Sequence, residues 1–148
     1  VAWVDGTYLN NAIGTAAVSS LGLSGNVLTQ FELAARSTVV ATIQYAGYTS
    51  PGDTIDTTTV AGAFLAKLTA ALVLRDAYQL RKGVRLPFDP SGTISEGLFL
   101  LDAIHSKKLP IPGMTPDTLG AYGGNEASPI VGANARPSYF GPNKLEGF

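Results

Sequence analysis

With 148 residues, 45% of them hydrophobic, and no cysteine, the chain is long enough for one domain whose core needs neither disulfides nor structural zinc. The formal charge of -1 offers no overall attraction to nucleic acid or anionic membranes, no apolar run reaches the ~18 to 20 residues that span a bilayer, and Val1-Ala2-Trp3-Val4-Asp5 lacks a basic signal-peptide flank, so a soluble intracellular protein is expected. Only 14% of the residues are charged, against roughly 25% in ordinary soluble domains, which points to a surface partly covered by neighbouring subunits, with a Thr-rich soluble monomer as the alternative.

The first predicted element runs from Asp5 to Gly14, where Tyr8, Leu9, Ala12 and Ile13 form one apolar stripe. Ser19 to Gly25 is rich in Ser and Gly and reads as a loop, after which Asn26 is placed to cap a long helix reaching about Ala46. Leu28, Phe31, Ala35, Val39, Ile43 and Ala46 recur there at spacings of three and four and mark its core face. Tyr48 to Asp53 has strong turn chemistry, and Asp56 to Thr58 supply cap candidates for a second long helix beginning near Thr59.

That helix carries Val60, Phe64, Leu65, Leu68, Ala71, Leu72, Leu74 and Tyr78, and its alanines permit close approach of neighbouring backbones, so it is expected at the centre. It should end at Lys82-Gly83, where Arg81 and Lys82 favour the negative end of the helix dipole. Arg85 to Gly92, with two prolines, is a loop, and Thr93-Ile94-Ser95-Glu96 spells a capping box for a third helix. Its inner side is assigned to Leu98, Phe99, Leu101, Ala103 and Ile104, with Lys107 and Lys108 at the C-terminal end. From Leu109 the chain is extended, and from Met114 to Phe148 it is punctuated by Gly and Pro without a sustained period. The expected fold is thus mainly α: a small bundle of three to four helices over 1–113, followed by an extended Gly/Pro-rich arm over 114–148. Apolar residues gather at the arm's far end as Tyr139, Phe140, Leu145 and Phe148, as an arm that orders on a partner would need; a flexible tail with incidental aromatics is the simpler reading.

Catalytic and metal-binding patterns are sparse. His105 is the single histidine, so a two-histidine metal site within one chain is ruled out, as are cysteine nucleophiles; no catalytic, cofactor or metal residue is assigned. Asp53 and Asp56 stand close together but in loop context, where carboxylates more often cap and solubilise, and Gly120-Ala121-Tyr122-Gly123-Gly124 lacks the flanking strand and helix of a nucleotide-binding loop. The group Arg75, Arg81, Lys82 and Arg85 suits phosphate or an acidic partner, yet helix-end electrostatics accounts for two of the four.

The order of parts resembles the head-tail connector, or head-completion, proteins of long-tailed phages and Mu-like prophages. The segments that carry the likeness are Ala41-Thr42-Ile43-Gln44-Tyr45-Ala46-Gly47-Tyr48, the Ala- and Leu-rich helix from Leu65 to Leu80, and Ala103-Ile104-His105-Ser106-Lys107-Lys108-Leu109. The ending Arg136-Pro137-Ser138-Tyr139-Phe140-Gly141-Pro142-Asn143-Lys144-Leu145-Glu146-Gly147-Phe148 is similar to the Arg-Phe-x-x-x-x-Leu-x-Gly-Phe type of C-terminus in Mu-like members. The resemblance implies a non-enzymatic virion-neck subunit without cofactor. It would assemble as a ring of about twelve copies between the portal and a stopper or tail-completion ring, continuing the channel for double-stranded DNA. On that reading Arg136, Tyr139, Phe140, Leu145 and Phe148 anchor the arm on the portal or an adjacent subunit, while Lys67 or Arg85 faces the channel or an acidic partner. Two rivals stand beside it: a bacterial helical module that binds a protein ligand as a small oligomer, and an enzyme whose site joins His105 of one chain to Asp102 or Glu96 of another.

Overall fold

The computed structural model describes residues 2–81, 83, 85–86 and 89–117. It is mainly α, with five helices among the described residues: α1 (Gly6–Ile13), α2 (Thr15–Leu21), α3 (Gly25–Tyr45), α4 (Val60–Leu80) and α5 (Ser91–His105). The bundle expected from hydrophobic periodicity is present, with α3, α4 and α5 packed against one another and α1 and α2 forming a short pair beside them.

α1 starts where its sequence allows, because the Asp5 carboxylate accepts from the Tyr8 N–H at 2.8 Å and satisfies one of the helix's free donors. Leu9 is buried, while Tyr8 and Ile13 are half-buried and Ala12 is exposed. Of the loop expected over 19–25, residues 22–24 form the connection to α3, whereas 19–21 belong to α2, with Ser19 and Ser20 in its exposed face and Ala17, Val18 and Leu21 buried. The serines masked a single apolar turn, and only Gly22, in the left-handed region at φ 67°, ends it. Ser24, and not Asn26, is the N-cap residue of α3, with no side-chain capping bond.

α4 is the central helix, buried on most of its circumference; Leu65, Leu68, Leu72 and Leu74 are each at most 1% exposed. Removing a leucine side chain from water contributes about 1.5 to 3 kcal/mol, so this one helix supplies much of the driving force. Its cap is Thr59, whose hydroxyl accepts from the Gly62 N–H at 3.0 Å, and Gly62 is required because a Cβ there would run into the Asp56 carbonyl. α5 begins at Ser91, two residues before the expected capping box: the Asp89 carboxylate receives the Ser91 N–H at 3.0 Å, leaving Thr93 and Glu96 inside the helix. Leu101 and Ile104 of its expected inner face are buried, joined by Gly97, whereas Phe99 is 70% and Leu98 39% exposed, so the buried face is shifted away from those two. Gly97 explains the shift, since the α4 and α5 backbones approach so closely that a Cβ there would overlap the Ala71 methyl.

After α5 the chain returns over the end of the bundle. Ile111 is buried and donates its N–H to the buried Tyr48 hydroxyl at 3.1 Å, and the Asp117 N–H donates to the Gly47 carbonyl at 2.8 Å. Met114 packs against the core and the Thr49 hydroxyl bonds the Asp117 carboxylate, so the first residues of the expected arm lie on the α3–α4 connection. The rest of it, 118–148, lies outside the described residues, and with it Arg136, Tyr139, Phe140, Leu145 and Phe148.

Candidate interaction surface

Charge is distributed along this chain very unevenly. From Gly6 to Gly52 the only charged residues are Glu32 and Arg36, and both are drawn inward. Glu32, 1% exposed, accepts the Trp3 N–H at 2.9 Å and lies 3.4 Å from the Arg36 guanidinium. Arg36 in turn donates to the Asp53 carbonyl at 2.9 Å, and the Trp3 indole N–H donates to the Gly52 carbonyl at 3.0 Å. This network ties the N-terminal segment to α3 and to the turn beyond it. It also removes both charges from the surface, so every exposed residue of α1, α2 and α3 is uncharged. Ordinary soluble surfaces are about 25 to 35% charged, so this half of the domain is unlike a surface that faces only water.

The outer face of α3 is less polar still than its composition suggests. The hydroxyls of Thr29, Ser37, Thr38 and Thr42 donate to carbonyls three or four residues earlier in the same helix, at 2.9 to 3.2 Å. Their donors are thus satisfied within the helix, and covering this face would leave none of them unpaired. Beside it Val27 and Leu33 are exposed, and at its C-terminal end Tyr45 is 60% exposed. Tyr45 stacks on His105 of α5, with ring centroids 4.5 Å apart and planes at 15°, and the Lys107 ammonium lies 5.3 Å from the tyrosine ring. An open groove of about 520 Å³ runs between these rings and Ser37, Thr38, Ala41 and Thr42.

The charged half, α4 and α5, behaves differently. Lys67 is engaged with Glu96 at 2.7 Å, each about half exposed, so its charge is already partnered across α4 and α5. Arg85 lies exposed in the α4–α5 connection, well separated in sequence from Lys67, and the structure gives no contact joining the two. Arg75 pairs with its neighbour Asp76 at 2.8 Å, and the Arg81 guanidinium lies over Gly22 at the end of α2. A second cavity, of about 270 Å³, opens between α1 and α4 around Leu9, Ile13, Ala70 and Leu74, with Lys67 and Tyr8 at its edge. Burial raises the Tyr8 phenol above its ordinary value, partly offset by the nearby Lys67 charge.

His105 is occupied by the aromatic stack, and among the described residues no group of three or more His, Cys, Asp and Glu could hold a metal ion. No helix is long and apolar enough to cross a membrane among the described residues. Sequence reading noted the low overall charge but not its segregation, although the two charge-free runs, 6–31 and 37–52, were visible; what was hidden is that Glu32 and Arg36 between them face inward.

Compared with known proteins, the chain matches no family model, and no curated protein or solved structure is significantly similar to it. The phage-connector resemblance therefore rests on the sequence segments quoted above.

Proposed function

We propose that this chain is a structural subunit of a larger assembly, and specifically a head-tail adaptor in the neck of a tailed phage. The observation that carries the subunit reading is the charge-free half of the domain. An isolated protein with an exposed uncharged surface made of α1, α2 and α3 would lack the electrostatic repulsion that keeps monomers apart. A subunit whose neighbour covers that surface needs no such repulsion, and the internally satisfied hydroxyls of α3 lower the cost of covering it. The step from subunit to adaptor is supplied by the sequence resemblance, which adds the ring, the portal and stopper partners and the DNA channel.

The test is the mass of the purified full chain in solution, alone and mixed with portal complexes from virions. A ring of about a dozen copies formed on the portal is the expected result. A small stable oligomer indifferent to portal would overturn the adaptor reading in favour of the bacterial protein-binding module. His105→Ala separates both from an intersubunit enzyme, since assembly should survive loss of the imidazole.

A further inference from the structure

We infer that the cavity between α1 and α4 is a binding site for a small amphiphile with a carboxylate head, such as a medium-chain fatty acid, whose chain lies on the aliphatic floor while its head meets the Lys67 ammonium and the Tyr8 and Thr93 hydroxyls. The site lies within one copy of the chain, so the inference goes beyond the assembly reading and stands apart from it.

Small residues make the space. Ala12 of α1 and Ala70 of α4 both line the cavity, and with only methyl groups at these two positions a volume of about 270 Å³ is left beside Leu9, Ile13 and Leu74. An apolar cavity of about 150 Å³ suffices for benzene, so this one has room for a chain of about eight to ten carbons. Water in it would lie mostly against aliphatic carbon, and replacing that water by a hydrocarbon chain is the favourable exchange.

The rim selects the head. Its polar residues are Tyr8, Lys67 and Thr93, and no carboxylate is among them. Lys67 donates and cannot accept. Among the described residues neither the Tyr8 phenol nor the Thr93 hydroxyl has a hydrogen-bond partner, in contrast to the back-bonded hydroxyls of α3, so both are available to a ligand. Burial raises the Tyr8 phenol above its ordinary value, which keeps it protonated and a donor at neutral pH. Three donors, one of them cationic, are best met by an anionic acceptor; an ammonium head is repelled and a neutral alcohol makes only part of the contact. Two carboxylates stand outside the lining. Asp89 receives the Ser91 N–H at 3.0 Å, and Glu96 holds Lys67 at 2.7 Å, with both side chains of that pair about half exposed. Glu96 is therefore a competitor for the head, but an exposed pair of this kind contributes little and the ammonium has further N–H groups to share, so a ligand carboxylate joins or replaces it at small cost.

The test is calorimetric titration of the purified full chain with octanoate at low salt, beside octanol as the neutral probe with the same tail and acetate as the head alone. Octanoate is expected to bind saturably with a dissociation constant of about a millimolar or tighter, at least about fivefold below that of octanol, and acetate to show no binding. Lys67→Met should bring octanoate down to the level of octanol, whereas Glu96→Gln, which removes the competitor, should tighten octanoate severalfold. Ala70→Leu and, separately, Ala12→Leu fill the cavity from α4 and from α1, and each should weaken octanoate at least about tenfold. Both variants are checked for native circular dichroism; Ala12 is exposed, so its variant keeps the fold where added bulk at the half-buried Ala70 does not. Absence of saturable octanoate binding, or binding unchanged in Ala12→Leu, would overturn the site. Equal binding of octanol and octanoate by the wild-type chain would overturn the carboxylate head, and weaker octanoate binding in Glu96→Gln would overturn the part given to Lys67.

Discussion

Replacing Glu32 by alanine tests the network that holds the N-terminal segment and clears charge from the α3 surface. The substitution removes the acceptor of the Trp3 N–H, 2.9 Å away, and strips Arg36, whose side chain is only 11% exposed, of its buried counter-ion, leaving only the exposed Asp53 carboxylate 3.6 Å away. A buried backbone donor left unpaired costs about 1 to 3 kcal/mol, and breaking a buried ion pair by deleting one partner costs about 3 to 5 kcal/mol. The two overlap because the same carboxylate serves both. Arg36 also keeps its bond to the Asp53 carbonyl, so a total near the lower bound, about 3 kcal/mol, is expected. For a domain of this size that lowers the melting temperature by roughly 10 °C. Glu32→Gln retains an acceptor for Trp3 and loses only the charge, so it should fall between wild type and alanine. Urea and thermal denaturation followed by circular dichroism give the global figure, while fluorescence of Trp3, the sole tryptophan and 2% exposed, reports the N-terminal segment by itself. A Glu32→Ala protein within about 0.5 kcal/mol of wild type, with unshifted tryptophan emission, would refute the argument that this network holds the segment.

The neighbouring Asp53 should behave in the opposite way: its carboxylate is 87% exposed and 3.6 Å from Arg36, which bonds the residue's carbonyl instead, so Asp53→Asn is expected to change urea-derived stability by less than about 0.5 kcal/mol. The two non-terminal glycines of α5 should give opposite signs under the same denaturation assay. Gly97→Ala pushes a methyl into Ala71 and should cost about 1 to 3 kcal/mol, whereas Gly92→Ala meets open space and should be neutral or stabilise by up to about 1 kcal/mol. Hydrogen bonds from the Thr58 hydroxyl and N–H hold the Asp56 carboxyl below its ordinary value, and the Ser91 N–H and hydroxyl do the same for Asp89. A carboxyl whose folded value lies below its unfolded one contributes fully above the unfolded value, near pH 4, and loses that contribution as the pH falls through the folded value. Thermal melts from pH 5 to pH 2 should therefore show the gap between wild type and the Asp56→Asn, Asp89→Asn double variant narrowing toward low pH; a constant gap would remove the assignment.

Periodicity was a good guide wherever a helix had one dry side. Leu28, Ala35, Val39 and Ile43 on α3 and the leucines of α4 are buried as their spacing predicts. It failed where packing was decided by something smaller than a hydrophobic side chain. On α5 the deciding residue is Gly97, which contributes no hydrophobicity yet brings α5 against Ala71, turning Leu98 and Phe99 outward. On α2 three buried apolar residues sufficed, a signal too short to outweigh Ser19, Ser20 and Gly22. Glu32 was hidden for a related reason, since a carboxylate is read as surface unless its partners are known, and those partners are a main-chain N–H 29 residues earlier and an arginine one turn on.

These exceptions share a consequence for function. The packing that turns Phe99 out and the network that turns Glu32 and Arg36 in act on different helices, and together they leave an exposed aromatic on α5 and an uncharged face on α3. Stability alone does not account for the first, because an exposed phenylalanine gains nothing in a monomer that a polar residue would not gain, and it raises the tendency to aggregate. Nor does it account for charge being absent from the rest of α1 to α3, since surface Lys and Glu at exposed helix positions support helices at least as well as the Ser and Thr found there. What the arrangement does supply is an outer face of α3 that is free of exposed charge and whose Thr29, Ser37, Thr38 and Thr42 hydroxyls already have acceptors, so that covering it would strand none of those donors.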